Sequence, residues 1–202
     1  GYRRTHYSQF GEDITLLSLF ADTPYGVYID VGAHHPKRYS NTHLLYKKGW
    51  RGVNIDPNPM TIELFNRARP GDTNVLAGVA TNTGEMIYYM FSDPAVNTFI
   101  ESEARGWMDK QWLQFLGTKK VHVRPLRDIC NELKVTNVDL LSIDAEGMDL
   151  EVLKSNNWES IRPRVVVVEV SLFDASQPFA HPVFDFLVSQ HNYKLRGFMG
   201  SS

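Results

Sequence analysis

Gly26-Val27-Tyr28-Ile29-Asp30-Val31-Gly32-Ala33-His34-His35-Pro36 is the stretch on which the fold turns. It is a β-rich run that stops at a glycine, with an acid two positions before it. A continuous run of β-branched and aromatic residues bounded by turn formers suits a strand buried on both faces. The same form recurs at residues 52–57, ending in Asp56 and Pro57, and at 74–80. It recurs again at 138–144, ending in Asp144, and at 164–170, where four consecutive valines precede Glu169. Between these runs lie helical patterns at 12–20, 41–48, 59–68, 127–133, 149–154 and 181–190, the last with Pro182 near its first turn. Strand–helix alternation predicts an α/β fold: a mostly parallel central sheet with helices on both faces.

Two segments break the alternation. Residues 83–90 follow a turn-like Asn82-Thr83-Gly84 and read as an added antiparallel strand or hairpin. Residues 91–119 read as a partly helical insertion over the sheet. Within it, Trp107, Trp112 and Phe115 fall at helical spacing and read first as a core stripe, with an aromatic wall for a sugar ring as the sharper alternative. No repeat or linker divides the chain, so residues 1–202 are read as one domain.

Composition narrows the partners. Of 202 residues, 43% are hydrophobic and 12% aromatic, which excludes disorder over most of the chain. Twenty-one basic against 23 acidic side chains leave a charge of −2, so no bulk basic field for nucleic acid exists. The one cysteine, Cys130, excludes an intrachain disulfide and a cysteine-based zinc site. No apolar run approaches the ~20 residues of a membrane helix, and no apolar signal core follows the N-terminus. A cytoplasmic protein without a membrane span is the expectation.

Open parallel sheets bind ligands at the carboxyl ends of their strands, and here those ends carry acids. Gly32 lets the backbone turn sharply beside Asp30. The further glycines of a dinucleotide cradle are missing, with His34 and Pro36 in their place, so a cofactor without a pyrophosphate is favoured. Asp56 is placed either to accept both hydroxyls of a ribose or to cap the following helix. Asp144 and Glu169, at adjacent strand ends, are placed to share a divalent ion, or one of them to act as base. Helix capping for Asp144 and an ion pair for Glu169 are the structural alternatives. His35, on the turn after the first strand, is the histidine singled out as a general base near neutral pH. Arg38, Arg105, Arg124, Lys119 and Lys120 are available to an anionic acceptor, with solvated surface as their default.

Taken together these runs resemble a known family. Residues 28–36 look like motif I of class I S-adenosylmethionine methyltransferases. Ser8-Gln9-Phe10-Gly11-Glu12-Asp13, Asp56-Pro57-Asn58-Pro59, the run from Ser142 to Leu153 and the run from Trp158 to Glu169 together resemble the FkbM family, over about residues 7–195. The resemblance implies a Rossmann-like fold and O-methylation of a sugar or natural-product hydroxyl, with S-adenosylmethionine as cofactor. It implies Asp30 and Gly32 at the methionine part, Asp56 at the ribose, and Gly78, Val79 and Ala80 near the adenine. Ser8, Gln9 and Glu12 would close over the cofactor. By analogy with metal-dependent catechol O-methyltransferases, Asp144 and Glu169 would hold an ion such as Mg²⁺, with Glu146 or His35 assisting. The acceptor implied is a carbohydrate or glycosylated small molecule. One departure stands out: motif I often has a second glycine where His34 stands. The rival readings are a non-catalytic cofactor-binding or scaffold protein, and a nucleotide-dependent oxidoreductase.

Overall fold

Short, doubly buried strands need a helix on each side, and the chain supplies them in turn. The computed structural model describes residues 5–171 and 173–200; the rest of the 1–202 expectation lies outside the described residues. Helix α1 (Glu12–Leu19) leads into β1 (Val27–Val31), followed by α2 (His43–Lys47), β2 (Arg51–Asp56), α3 (Pro59–Ala68) and β3 (Thr73–Leu76). Next come β4 (Gly78–Val79), β5 (Gly84–Phe91), α4 (Glu101–Met108) and β6 (Phe115–Arg124). The chain then forms α5 (Leu126–Leu133), β7 (Leu140–Ile143), α6 (Asp149–Ser155), β8 (Val165–Val168) and α7 (Pro182–Asp185), which continues into a π-helical turn, Phe186–Gln190.

The main sheet has the order β3-β2-β1-β7-β8, and every pairing is parallel. The chain steps outward from β1 to β3, then returns to the other side of β1. The reversal falls between β1 and β7, where an open sheet leaves a crevice at its carboxyl edge. Ile29, Val31, Val53, Ile55, Leu141 and Ile143 face one side and pack with Ile129, Val152, Leu153 and Phe186. Tyr28 and Leu140 face the other and pack with Leu16, Phe20, Leu45 and Trp50. Each large side chain so buried contributes about 1.5–3 kcal/mol. Covering both faces is why the strands read as continuous apolar runs rather than alternations.

Two expectations are corrected. The 74–80 run is not one strand: after Ala77 the chain leaves the main sheet, and Gly78–Val79 joins a second sheet ordered β4-β6-β5. The 91–119 segment is only partly an insertion, because residues 115–124 form β6, the antiparallel partner of β5. The three aromatics therefore make no core stripe. Trp107 lies on α4, Trp112 is 66% exposed beyond it, and Phe115 starts β6. Helix α4 packs instead through Ala104, against Phe91 and Leu113. Among the described residues, no helix is long and apolar enough to cross a membrane.

Candidate functional site

Parallel strands ending at one edge bring their terminal acids together. A cleft of ≈ 330 Å³ opens at the carboxyl ends of β1, β2 and β7. Six carboxylates line it (Asp30, Asp56, Glu103, Asp144, Glu146 and Glu169), and among the described residues no Lys or Arg does. Four of the candidate cations stand in surface ion pairs: Arg38 with Asp93, Arg105 with Glu101, Lys120 with Glu85 and Arg124 with Glu132. The fifth, Lys119, donates from Nζ to Pro57 O at 3.3 Å, close enough to the cleft to act on Asp56.

Gly32 is required by geometry. Its φ is +73°, and a Cβ there would stand 1.7 Å from the carbonyl oxygen of Asp144. The turns after β1 and β7 are thus in backbone contact. His34 holds the left-handed conformation (φ 52°) that a second glycine would adopt, so the bulkier residue leaves a glycine-type turn in place. Its ring stacks on Tyr39 at 6.3 Å and 19°, and burial lowers its pKa, favouring the neutral imidazole.

Asp56 holds the approach to α3 without capping that helix itself. Its Oδ2 accepts from the His34 N–H (2.9 Å) and its Oδ1 from the Asn58 N–H (2.8 Å), which ties the β1 turn to the start of α3. Asn58 itself caps α3, accepting from the Met60 N–H. An ionised carboxylate has about four lone-pair sites, so both oxygens keep room for a hydroxyl. Burial pushes the Asp56 carboxyl up to about 6, against these two hydrogen bonds.

Asp144 and Glu169 stand one step beyond adjacent strands. The Asp144 N–H donates to Val31 O and the Glu169 N–H to Ile143 O, both at 3.0 Å. Asp144 Oδ1 is buried and has no hydrogen-bond partner. Asp144, Glu146 and Glu169 each offer an oxygen, and the three lie within 4.8 Å of one another. Burial, then Glu169, holds the Asp144 carboxyl well above the usual range; burial, then Glu169, pushes Glu146 up to about 8. Glu146 sits at φ 46° in a braced turn. Asp149 accepts from the Ala145 and Gly147 N–H groups, and Thr98 Oγ1 donates to Glu146 O at 2.8 Å. Three such carboxylates repel unless a proton or cation stands between them.

Of the sequence candidates, Gln9, Asp30, Gly32, Asp56, Gly78, Val79, Asp144, Glu146 and Glu169 line this one cleft. Four others do not. Ser8 Oγ donates to Asp13 at 2.8 Å and Glu12 accepts from the Phe10 N–H, so both build the turn into α1. Ala80 is buried with Val123 and Met148. His35 Nδ1 accepts from the Lys37 and Arg38 N–H groups at 3.0 and 2.9 Å, capping a turn, and the ring lines a shallower depression with Tyr7 and Lys37. Three residues were missed. Asp149 braces the acidic turn, while Thr42 and Arg69 stand behind Asp30: Thr42 Oγ1 donates to Asp30 Oδ2, and Arg69 donates to Thr42 Oγ1, each at 2.7 Å. Nothing local marks an arginine at a helix end for burial.

A parallel sheet with its ligand cleft at the chain-reversal point, a glycine turn after β1 and an acid after β2 define the class: an open-sheet α/β ligand-binding domain. The family model described as the methyltransferase FkbM domain matches residues 30–195, and the chain belongs to that family. It is a methyltransferase. The Ser8–Asp13 run lies before the matched span. No curated protein and no solved structure matches the chain.

Proposed function

We propose that the chain transfers the methyl group of S-adenosylmethionine to a sugar hydroxyl, with a divalent cation held by the acidic cluster. The observation that carries this is the charge of the cleft: six carboxylates and, among the described residues, no Lys or Arg line it. Such a lining favours a sulfonium donor with its ammonium group, and opposes the pyrophosphate of a nicotinamide dinucleotide. The oxidoreductase reading is the weaker one for that reason.

The residues present fit the cofactor. Asp30 and Gly32 would hold its amino-acid part, Asp56 its ribose hydroxyls, and Gly78 and Val79 the wall beside its adenine. Gln9 reaches the same cleft from the N-terminal segment. They also fit a divalent cation, since Asp144, whose Oδ1 is orphaned, joins Glu146 and Glu169 in offering three carboxylate oxygens of the kind Mg²⁺ takes. When bound, the cofactor supplies an electrophilic methyl group and the cation lowers the pKa of an oxygen beside it.

The chain's own part is alignment and proton transfer. The β1 and β7 turns, locked by Gly32 against Asp144, fix the cleft floor on strand ends rather than on a free loop. Asp144 and Glu169 stand where an acceptor hydroxyl would meet the donor, and one of them takes its proton or both hold the cation. Trp107, on α4, offers an aromatic face within the cleft, which suits a sugar ring.

Titration calorimetry with S-adenosylhomocysteine tests the reading, on wild type and Asp56→Asn, with and without Mg²⁺. Saturable binding that weakens in the variant is expected. Absence of binding to wild type under both conditions overturns it. Methyl transfer from labelled S-adenosylmethionine to a panel of free sugars, nucleotide sugars and glycosides then tests the acceptor class.

A further inference from the structure

Arg69 is 1% exposed, one of the largest fully buried side chains. A buried guanidinium costs several kcal/mol unless its donors are met. Here they are met by neutral oxygens. Nε and Nη2 both donate to Pro36 O, Nη2 to Ser40 Oγ at 2.7 Å, and Nη1 to Thr42 Oγ1 at 2.7 Å. The rings of Phe65 and Tyr46 flank it, with centroids 5.0 and 5.5 Å from Cζ.

The direction of the chain beyond Arg69 is forced. A guanidinium only donates, so Thr42 Oγ1 must accept from it and turn its own proton elsewhere. Two oxygens lie within reach of that proton, and Asp30 Oδ2 at 2.7 Å is nearer than Ser40 Oγ at 3.3 Å. Thr42 is fully buried at the position before α2, and its hydroxyl makes no capping bond to that helix. Its neighbour Asn41 donates Nδ2 to Ser142 Oγ on β7 at 3.2 Å. Three consecutive residues, Ser40, Asn41 and Thr42, thus bind α3's terminal arginine, β7 and β1. All of this converges on one carboxylate that lines the cleft at the reversal point.

We propose that Arg69, acting through Thr42, is a positioning residue that holds Asp30 as the acceptor for the α-ammonium of the cofactor's amino-acid moiety. The inference rests on reading the cleft as an S-adenosylmethionine site. It adds that this end of the cofactor is gripped through a guanidinium–hydroxyl–carboxylate relay, independently of the nucleoside end at Asp56.

Two probes separate the ends: S-adenosylhomocysteine, and 5′-methylthioadenosine, which is the same nucleoside thioether without the amino acid. Calorimetry on wild type, Thr42→Val and Thr42→Ser is the experiment. Thr42→Val keeps the shape but ends the relay, leaving Arg69 its bonds to Pro36 and Ser40. S-adenosylhomocysteine should bind about tenfold more weakly to Thr42→Val, the size of one hydrogen bond to a charged group. 5′-Methylthioadenosine should bind as to wild type, and Thr42→Ser should restore most of the loss. In an Asp30→Asn background, Thr42→Val should cost nothing further. That cycle decides the matter even where 5′-methylthioadenosine binds too weakly to measure. Equal losses for both probes, additive losses in the cycle, or no loss at all would each overturn the relay. Wild type that binds neither probe would instead sink the cofactor reading beneath it.

Discussion

Asp56→Asn should separate the stability of this protein from its function, and pH should expose the separation. Asp56 is 6% exposed. Burial raises its carboxyl from 3.8 to about 6 in spite of two N–H donors. Folding therefore favours the protonated form. The group's contribution is fully present below the unfolded value and is lost as pH rises through the folded one. A gap of about two units is ~3 kcal/mol in total, of which ~2 kcal/mol disappears between pH 4 and 7. Asparagine does not titrate. Its one carbonyl oxygen cannot serve both the His34 and the Asn58 N–H as well as two carboxylate oxygens do, which costs ~1–2 kcal/mol at every pH. That offset is constant, so the difference between variant and wild type should drift by ~2 kcal/mol in the variant's favour from pH 4 to 7. Urea unfolding of the cofactor-free proteins, followed by tryptophan fluorescence at half-unit pH steps, measures the drift directly. A difference that stays flat, or drifts the other way, refutes the placement of a buried, charge-averse carboxyl at the end of β2. The same variant should bind S-adenosylhomocysteine at least about tenfold more weakly at pH 7.5, having lost a charged acceptor for the ribose.

Gly32→Ala combines a positive φ with a Cβ 1.7 Å from Asp144 O, so urea melts should show a loss of at least ~3 kcal/mol and calorimetry no cofactor binding. Saturating Mg²⁺ or Mn²⁺, compared with a chelator, should raise the Tm of wild type by about 5–10 °C; Asp144→Asn and Glu169→Gln should lose that response, and an unchanged wild-type Tm counts against a cation site. Trp107→Ala should raise the acceptor KM about tenfold while leaving S-adenosylhomocysteine affinity within about twofold, an expected separation of the two ends of the cleft that a shared loss would contradict.

The main sheet was legible because burial on both faces writes itself as unbroken runs. Ile29 and Tyr28 point to opposite sides, yet each meets a helix layer, so neither position tolerates a polar residue and the run shows no alternation. The second sheet was less legible for the opposite reason. β6 carries Thr118, Lys119 and Lys120 in a half-exposed ladder with β5, and such a pattern resembles an irregular insertion. The break at Ala77 had no local mark either. Only the pairing of Gly78 with Val123, 45 residues later, takes that chain out of the first sheet, and a contact at that range leaves no trace in a window of ten residues.

At the site, the sequence showed which residue types gather at strand ends but not which way their neighbours turn. His34 and His35 differ by one position. The first lines the cleft, whereas the second spends Nδ1 on the two N–H groups of its own turn. Arg69 could not be read at all, because its reason for burial is assembled from Pro36, Ser40 and Thr42, about 30 residues upstream. This distribution has a consequence for how the cleft keeps its charge. Placing a cation directly against Asp30 would have neutralised the carboxylate that the ligand needs. Burial raises the Asp30 carboxyl, and the Thr42 hydroxyl and the Arg69 charge one hydroxyl away oppose that rise without putting a Lys or Arg on the cleft wall among the described residues. Among the described residues, Asp144, Glu146 and Glu169 form no ion pair within 4 Å, and Asp144 Oδ1 has no hydrogen-bond donor. In one half of the cleft Arg69 thus offsets part of the burial cost of the carboxylate. The other half is left to be completed by what binds there, which is the arrangement expected if the first half holds the methyl donor and the second a metal ion with the acceptor hydroxyl.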